Sequence, residues 1–444
     1  MNREATGIAR NSWYTFLTLT SIVGLRFLST LLIVRALGPV GQGSYYLLVT
    51  FNTLALRIAS LGVDTASSVF LSKRLYGVDE IHTACVILAG VFGLLAVGIY
   101  YILSPIIHMT LLKDIEVIYG WFVVLMLPLG LYGAFWRGMM VGLEEISKLN
   151  KVELGSVVFQ LALLAVALKL GYGLAGALLA WGMGLLAVVV AGWWAVAGQG
   201  PLWRFNARLL RHAVQFGFAS QWGEVARMLI LRSDVFLLNL LVGAEVVGYY
   251  SVALSLTEKL WIAYTSMYRA ATHKLQALSR ERAARLLARI TRGMSFLVLM
   301  AAVGLGLSSL WLIPALYGAR YTRSVIPFIV LLASLVPYGI WAGIRIYITG
   351  QLCRPNLASA IQWSGLLLSI VIYYGLIRLY GIVGAALGST LSYSLLCLAG
   401  VYVLYRSVHV YPMEFFVMPR DELLGYGRLG LKQVMRFANA VRKG

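Results

Sequence analysis

The sequence predicts an all-α polytopic membrane protein of about twelve transmembrane helices, in two six-helix bundles related by a pseudo-twofold axis along the membrane normal. Three observations predict it. Of 444 residues, 60% are hydrophobic and only 12% charged, too apolar for a water-soluble chain. The apolar runs are continuous rather than alternating, and in lipid such runs satisfy their backbone as helices, not as barrel strands. Glycine and proline patterns also recur, in the same order, about 200 residues further on.

In chain order the spans fall at 12–36, 44–72, 82–103, 117–142, 152–168 and 173–197, then 213–241, 246–273, 293–316, 324–350, 356–377 and 381–405. Span 1 follows a short polar flank and exceeds a signal-peptide core, so it reads as an uncleaved anchor. Spans 1 and 2 are joined by Gly38-Pro-Val-Gly-Gln-Gly43-Ser-Tyr45, which recurs between spans 7 and 8 as Gly243-Ala-Glu-Val-Val-Gly248-Tyr-Tyr250. Pro105 and Pro314 end spans 3 and 9. Arg137 with Gly142 in span 4 recurs as Arg345 with Gly350 in span 10. Tyr172-Gly173-Leu-Ala-Gly176-Ala177 before span 6 recurs as Tyr380-Gly381-Ile-Val-Gly384-Ala385 before span 12. The 45 glycines fit membrane helices, where small residues allow close contact. Each half holds an even number of spans, so the halves point the same way and a substrate cavity is expected between them.

Alternate connections carry 23 of the 37 Lys and Arg residues, whereas the opposite connections carry six. Lys/Arg-rich loops are cytoplasmic, so both termini are expected inside a cell (inner) membrane. The net charge of +20 is then a topological signal plus attraction to anionic lipid head groups, with no nucleic acid partner implied. The expected organisation is a six-helix lobe at 1–200, a cytoplasmic linker at 201–212, a second lobe at 213–405, and a basic tail at 406–444 with an amphipathic segment around Leu423 to Val441. Cys85, Cys353 and Cys397 lack metal or redox spacing and read as small apolar residues.

Ionised groups at membrane depth are costly and mark functional pathways. Eight cations lie inside the spans: Arg26, Arg57, Arg137, Arg227, Arg232, Lys259, Arg269 and Arg345. Against them stand Asp64, Glu224, Asp234 and Glu258, an excess of about four positive charges. Most sit on spans 1, 2, 7 and 8, nominating these as cavity walls. At about 1.5 Å per residue, Arg26, Arg57, Arg227 and Lys259 fall near the midplane, Arg137, Arg269 and Arg345 towards the cytoplasm, and Arg232 towards the outside. Helical spacing puts Glu224, Arg227 and Asp234 on one face, Arg57 with Asp64 on another, and Glu258 with Arg269 on a third. The excess favours an anionic solute such as a diphosphate, for which arginine offers forked donors. Arg137, Arg269 and Arg345 have a plainer alternative as snorkelling residues, and Arg35 reads as an anchor at the outer interface. The acids serve either as ion-pair partners or as H+ or Na+ coupling sites.

Val34-Arg35-Ala-Leu-Gly38-Pro39-Val-Gly-Gln-Gly43-Ser-Tyr45 resembles the first-helix signature of the polysaccharide transporter family, the Wzx-type flippases of O-antigen and capsule pathways. Leu316-Tyr317-Gly318-Ala-Arg-Tyr321, Ile348-Thr-Gly350-Gln-Leu-Cys-Arg354-Pro355 and Tyr380-Gly381-Ile382-Val-Gly384-Ala385-Ala386 follow that family's C-terminal order. The resemblance covers most of 8–406. It implies the fold of the multidrug, oligosaccharidyl-lipid and polysaccharide exporter superfamily, alternating access, and a polyprenyl-diphosphate-linked oligosaccharide flipped from the inner to the outer leaflet. Polymerases or glycosyltransferases of the same pathway are its implied partners, besides membrane lipids. Two further helices, usual in related lipid II flippases, are not expected in 406–444. A cation-coupled multidrug exporter is the runner-up, although such exporters usually place an acid in the first helix, where this chain has Arg26. A glycan polymerase or ligase comes third, lacking a sizeable external loop, a nucleophile–base pair or a metal cluster.

Overall fold

The computed structural model describes residues 2–197, 203–411 and 413–416; the amphipathic segment expected around 423–441 lies outside them. Helix makes up nearly all of the described residues, and no strand occurs among them. The helices are α1 Asn2–Ala59, α2 Val63–Ser72, α3 Val78–Met109, α4 Val117–Leu125, α5 Leu127–Gly142, α6 Ile146–Lys169, α7 Gly173–Ala197, α8 Ala207–Leu241, α9 Ala244–Ala277, α10 Arg280–Tyr317, α11 Val325–Ala333, α12 Leu335–Gly350, α13 Pro355–Val408 and α14 Met413–Phe416. Among the described residues seven helices are long and apolar enough to cross a membrane, and the pair Ala319–Ala333 with Leu335–Gly350, bent by 42°, is an eighth.

Twelve crossings emerge once the breaks are read. Helix α1 is two limbs meeting at Gly38, whose φ of 67° is left-handed and suits glycine; Pro39 then removes a helical donor. Helix α13 is likewise two limbs meeting at Gly381, φ 55°. Helices α8 and α9 have the length to cross, but their ionised residues lower their apolarity.

Three expected spans are not continuous. Span 2 is interrupted at Ser60–Gly62, where Leu61 and Gly62 both have positive φ. Span 4 breaks at Met126 and span 10 at Ser334, two positions 208 apart. The repeat is therefore structural as well as sequential: breaks, left-handed glycines and arginines all return at matching places. The interruption at 60–62 has no counterpart, since α9 runs unbroken.

The halves meet at both ends of the bundle. On the face opposite the basic connections, α1 and α9 cross so closely that a Cβ on Gly43 would lie 1.8 Å from the Ala244 carbonyl oxygen, and one on Gly248 would lie 1.9 Å from that of Pro39. This contact is reciprocal, because Pro39 and Gly43 correspond to Ala244 and Gly248 under the 205-residue repeat. Gln42 donates to Ser251 (3.1 Å) beside it, Asn239 donates to the Leu111 and Lys113 carbonyls, and Tyr321 donates to that of Val34. Arg35, expected as an interface anchor, is exposed and donates to the Leu316 and Ala315 carbonyls at 2.7 and 2.8 Å, tying α1 to the end of α10.

On the basic face α8 reaches into the first half. A Cβ on Gly62 would lie 2.3 Å from the Gly217 carbonyl oxygen, and Gln221 donates to Arg57 O and Ser60 Oγ, satisfying groups freed by the break. Leu209 and Ala213 are buried in the first half's apolar core with Phe70 and Leu71. The expected linker 201–212 is thus already helical from Ala207. Arg204 N and Asn206 Nδ2 bond Thr83 and Glu80 of α3.

Candidate functional site

Close helix packing sets the first wall. Gly138 lets α5 lie against α2 so tightly that a Cβ would meet the Asp64 carbonyl oxygen at 2.2 Å, bringing Arg137 and Asp64 to one surface. Arg57 pairs with Asp64 across the break at 3.0 Å. Arg137 Nε meets Glu153 Oε1 of α6 at 2.5 Å, and Arg26 Nη2 meets Glu153 Oε2 at 3.3 Å. Arg57, Asp64, Thr65, Ser68 and Arg137 line a cavity of about 450 Å³.

The second half builds a matching wall from α8, α9 and α12. Arg227 Nε donates to both Glu224 oxygens at 2.9 Å, and Arg345 Nη1 lies 3.9 Å from Glu224 Oε2. Arg232 is paired with Glu258 and donates to Tyr46 of the first half at 3.2 Å. Arg227, Arg232, Glu258, Trp261 and Tyr338 line a cavity of about 310 Å³, where the Trp261 and Tyr338 rings stack 4.2 Å apart.

Two cations meet no carboxylate among the described residues. Lys259 Nζ donates to Ser255 O at 3.0 Å and lies 5.2 Å from the Phe27 ring centroid of the first half. Arg269 is exposed. It does not meet Glu258, which turns to Arg232, because three turns leave the two side chains at different levels. Asp234 also departs from expectation. It pairs with neither Glu224 nor Arg227 and is fully buried, accepting from Tyr250 (2.6 Å), Ser389 (3.1 Å) and the Val235 N–H (2.8 Å).

Sequence reasoning missed Glu153, at the margin of span 5. With it, eight cations face five carboxylates, so the excess is three rather than four. The cavity walls likewise extend past spans 1, 2, 7 and 8 to α5, α6 and α12. A signal for Glu153 existed: Arg137 and Glu153 stand nearly equidistant from the turn at 143–145, so an antiparallel hairpin levels them. Tyr338, Trp261 and Gln221 carried no such signal.

The sequence model described as "Polysaccharide biosynthesis protein" matches residues 8–273. The chain belongs to the polysaccharide biosynthesis protein family. A curated relative, the succinoglycan biosynthesis transport protein ExoT of Rhizobium meliloti (strain 1021), is 24% identical over 256 residues, 56% of this chain and 50% of that protein. The match thus spans about half the relative's length. Among solved structures, the lipid II flippase MurJ in an inward closed conformation superposes with a TM-score of 0.70 at 14% identity, covering 91% of this chain and 89% of that one. An inward-facing multidrug resistance MATE family transporter of the MOP superfamily superposes at 0.71 and 13% identity, covering 89% and 98%. This member of the polysaccharide biosynthesis protein family therefore has the exporter-superfamily fold. Its long apolar helices make it a multi-pass membrane protein.

Proposed function

We propose that this family member translocates a polyprenyl-diphosphate-linked oligosaccharide from the cytoplasmic to the outer leaflet of the cell membrane by alternating access, with both termini cytoplasmic. The observation that supports the reading is an arginine-rich cluster in each half, each beside its own cavity, with more cations than carboxylates. A cationic drug would meet net repulsion there, whereas a diphosphate meets forked donors on both sides. Arg26, Arg57, Arg137, Arg227, Arg232, Lys259 and Arg345 are the proposed substrate contacts. Arg269, exposed on the basic limb of α9, is proposed as an entry contact. Asp64, Glu224, Asp234 and Glu258 are proposed ion-pair or coupling groups, with H+ or Na+ antiport supplying the bias between states. Asp234 suits coupling best, since its buried ligands are all hydroxyls or an N–H.

The test is reconstitution of the full chain in liposomes with a fluorescent polyprenyl diphosphate sugar. Leaflet exchange is expected with the native chain and lost in Arg26→Gln, Arg57→Gln and Arg227→Gln variants that still insert. Full exchange in all three variants would refute the mechanism.

A further inference from the structure

We propose that Glu153 and Glu224 are internal stand-in anions, each holding, between two guanidinium groups, the place a substrate phosphate takes. The inference rests on the anionic-substrate reading above and adds that each half carries one phosphate subsite kept closed by its own carboxylate.

In the first half Glu153 of α6 joins Arg137 of α5 to Arg26 of α1, one oxygen to each. In the second half Glu224 of α8 joins Arg227 of α8 to Arg345 of α12, again with both oxygens engaged. Arg137 and Arg345 are repeat partners, 208 residues apart. Their carboxylates are not. With the 208-residue offset of that part of the chain Glu153 corresponds to Ile361, and with the 205-residue offset of the first and seventh spans Glu224 corresponds to Leu19. Each half therefore brings a carboxylate to the same electrostatic position from a different helix. A salt bridge inherited with the repeat would use matching residues, so what the two sites share is the need for an anion between two arginines.

The chemistry of exchange follows from the fork geometry, which fits carboxylate and phosphate oxygens alike. One carboxylate between two guanidiniums leaves each cluster with a surplus positive charge, enough to attract a phosphate. An arriving phosphate displaces the glutamate by rotation of its side chain, with no bond made or broken. On release the glutamate returns, so the arginines are never left without a counter-charge in a dry interval. Arg26 and Arg137 are 64% and 37% exposed, against 27% and 29% for Arg227 and Arg345, so the first-half cluster is the less enclosed of the two.

The experiment uses the purified full chain in nanodiscs with farnesyl diphosphate as the probe. Removing the competing carboxylate in Glu153→Gln or Glu224→Gln should tighten probe binding about tenfold, while Arg137→Gln and Arg345→Gln weaken it by a similar factor. Glu153→Asp should stay near the native affinity. Glutamine variants that keep their melting temperature and bind no tighter than the native chain overturn the stand-in role. Collapse of both glutamine variants overturns it too, since the carboxylates would then be structural pins. Arginine variants that lose binding in either case leave the anionic-substrate reading standing. If the native chain and both glutamine variants bind no probe, that reading falls and this one falls with it.

Discussion

A guanidinium within a membrane protein needs both water and a counter-charge, and the arginines here divide by how they obtain them. Arg137 and Arg345 each share a carboxylate with a second arginine, whereas Arg269 is exposed and meets none among the described residues. Arg137→Gln and Arg345→Gln should each slow translocation of a fluorescent polyprenyl diphosphate sugar at least tenfold, since a charge-assisted contact is worth about 1.5–3 kcal/mol. Arg269→Gln removes an exposed entry contact and should slow the same liposome assay by a smaller factor, about two- to fivefold. Asp234 is a different case, a fully buried acceptor for two hydroxyls. Asp234→Ala strands both donors and should cost about 1–3 kcal/mol, read as a lowered melting temperature. Asp234→Asn retains an acceptor oxygen and should keep most of that stability while its transport stops responding to an imposed ion gradient.

At the level of helices, the proposed movement would turn on breaks and close crossings rather than on long straight spans. Glycine at 43 and at 248 lets α1 and α9 approach within backbone contact, and any larger residue meets a carbonyl that belongs to a helix, not to a flexible side chain. Gly43→Leu should hold the halves apart on that face. The measurement is accessibility of a single cysteine placed at Gln42, buried in this structure, which should become labelled by a membrane-impermeant maleimide. The break at 60–62 works differently, because α2 turns away from the second limb of α1 and lets Arg57 meet Asp64 seven residues later. Gln221 completes it from α8, so the element is shared between halves.

For the whole molecule, alternating access requires the two sets of inter-half contacts to part in turn. A Gln42→Cys, Ser251→Cys pair, whose native side chains touch at 3.1 Å, should lock one face when oxidised and stop transport. A Ser60→Cys, Gln221→Cys pair should do the same for the basic face. Both blocks should reverse with reductant, in a background where Cys85, Cys353 and Cys397 are replaced. Undiminished transport with either bridge formed would mean that face never opens.

Helical class, the number of crossings and the twofold repeat were all legible in the chain itself, since each follows from composition and local pattern along one dimension. Breaks at Gly38 and Gly381 were foreshadowed by the repeated glycines, because left-handed torsion is a local demand. Which cation meets which carboxylate was decided only by the tertiary structure. Spacing put Glu258 beside Arg269 and Asp234 beside Arg227, yet Glu258 turned to Arg232 and Asp234 to Tyr250. The physical reason is that a helical face can be read from sequence, while the neighbour filling it depends on the rotation and level of a second helix. Glu153 marks the boundary between the two: its level was implied by the hairpin turn, but its place between Arg26 and Arg137 needed a third helix, α1, laid alongside.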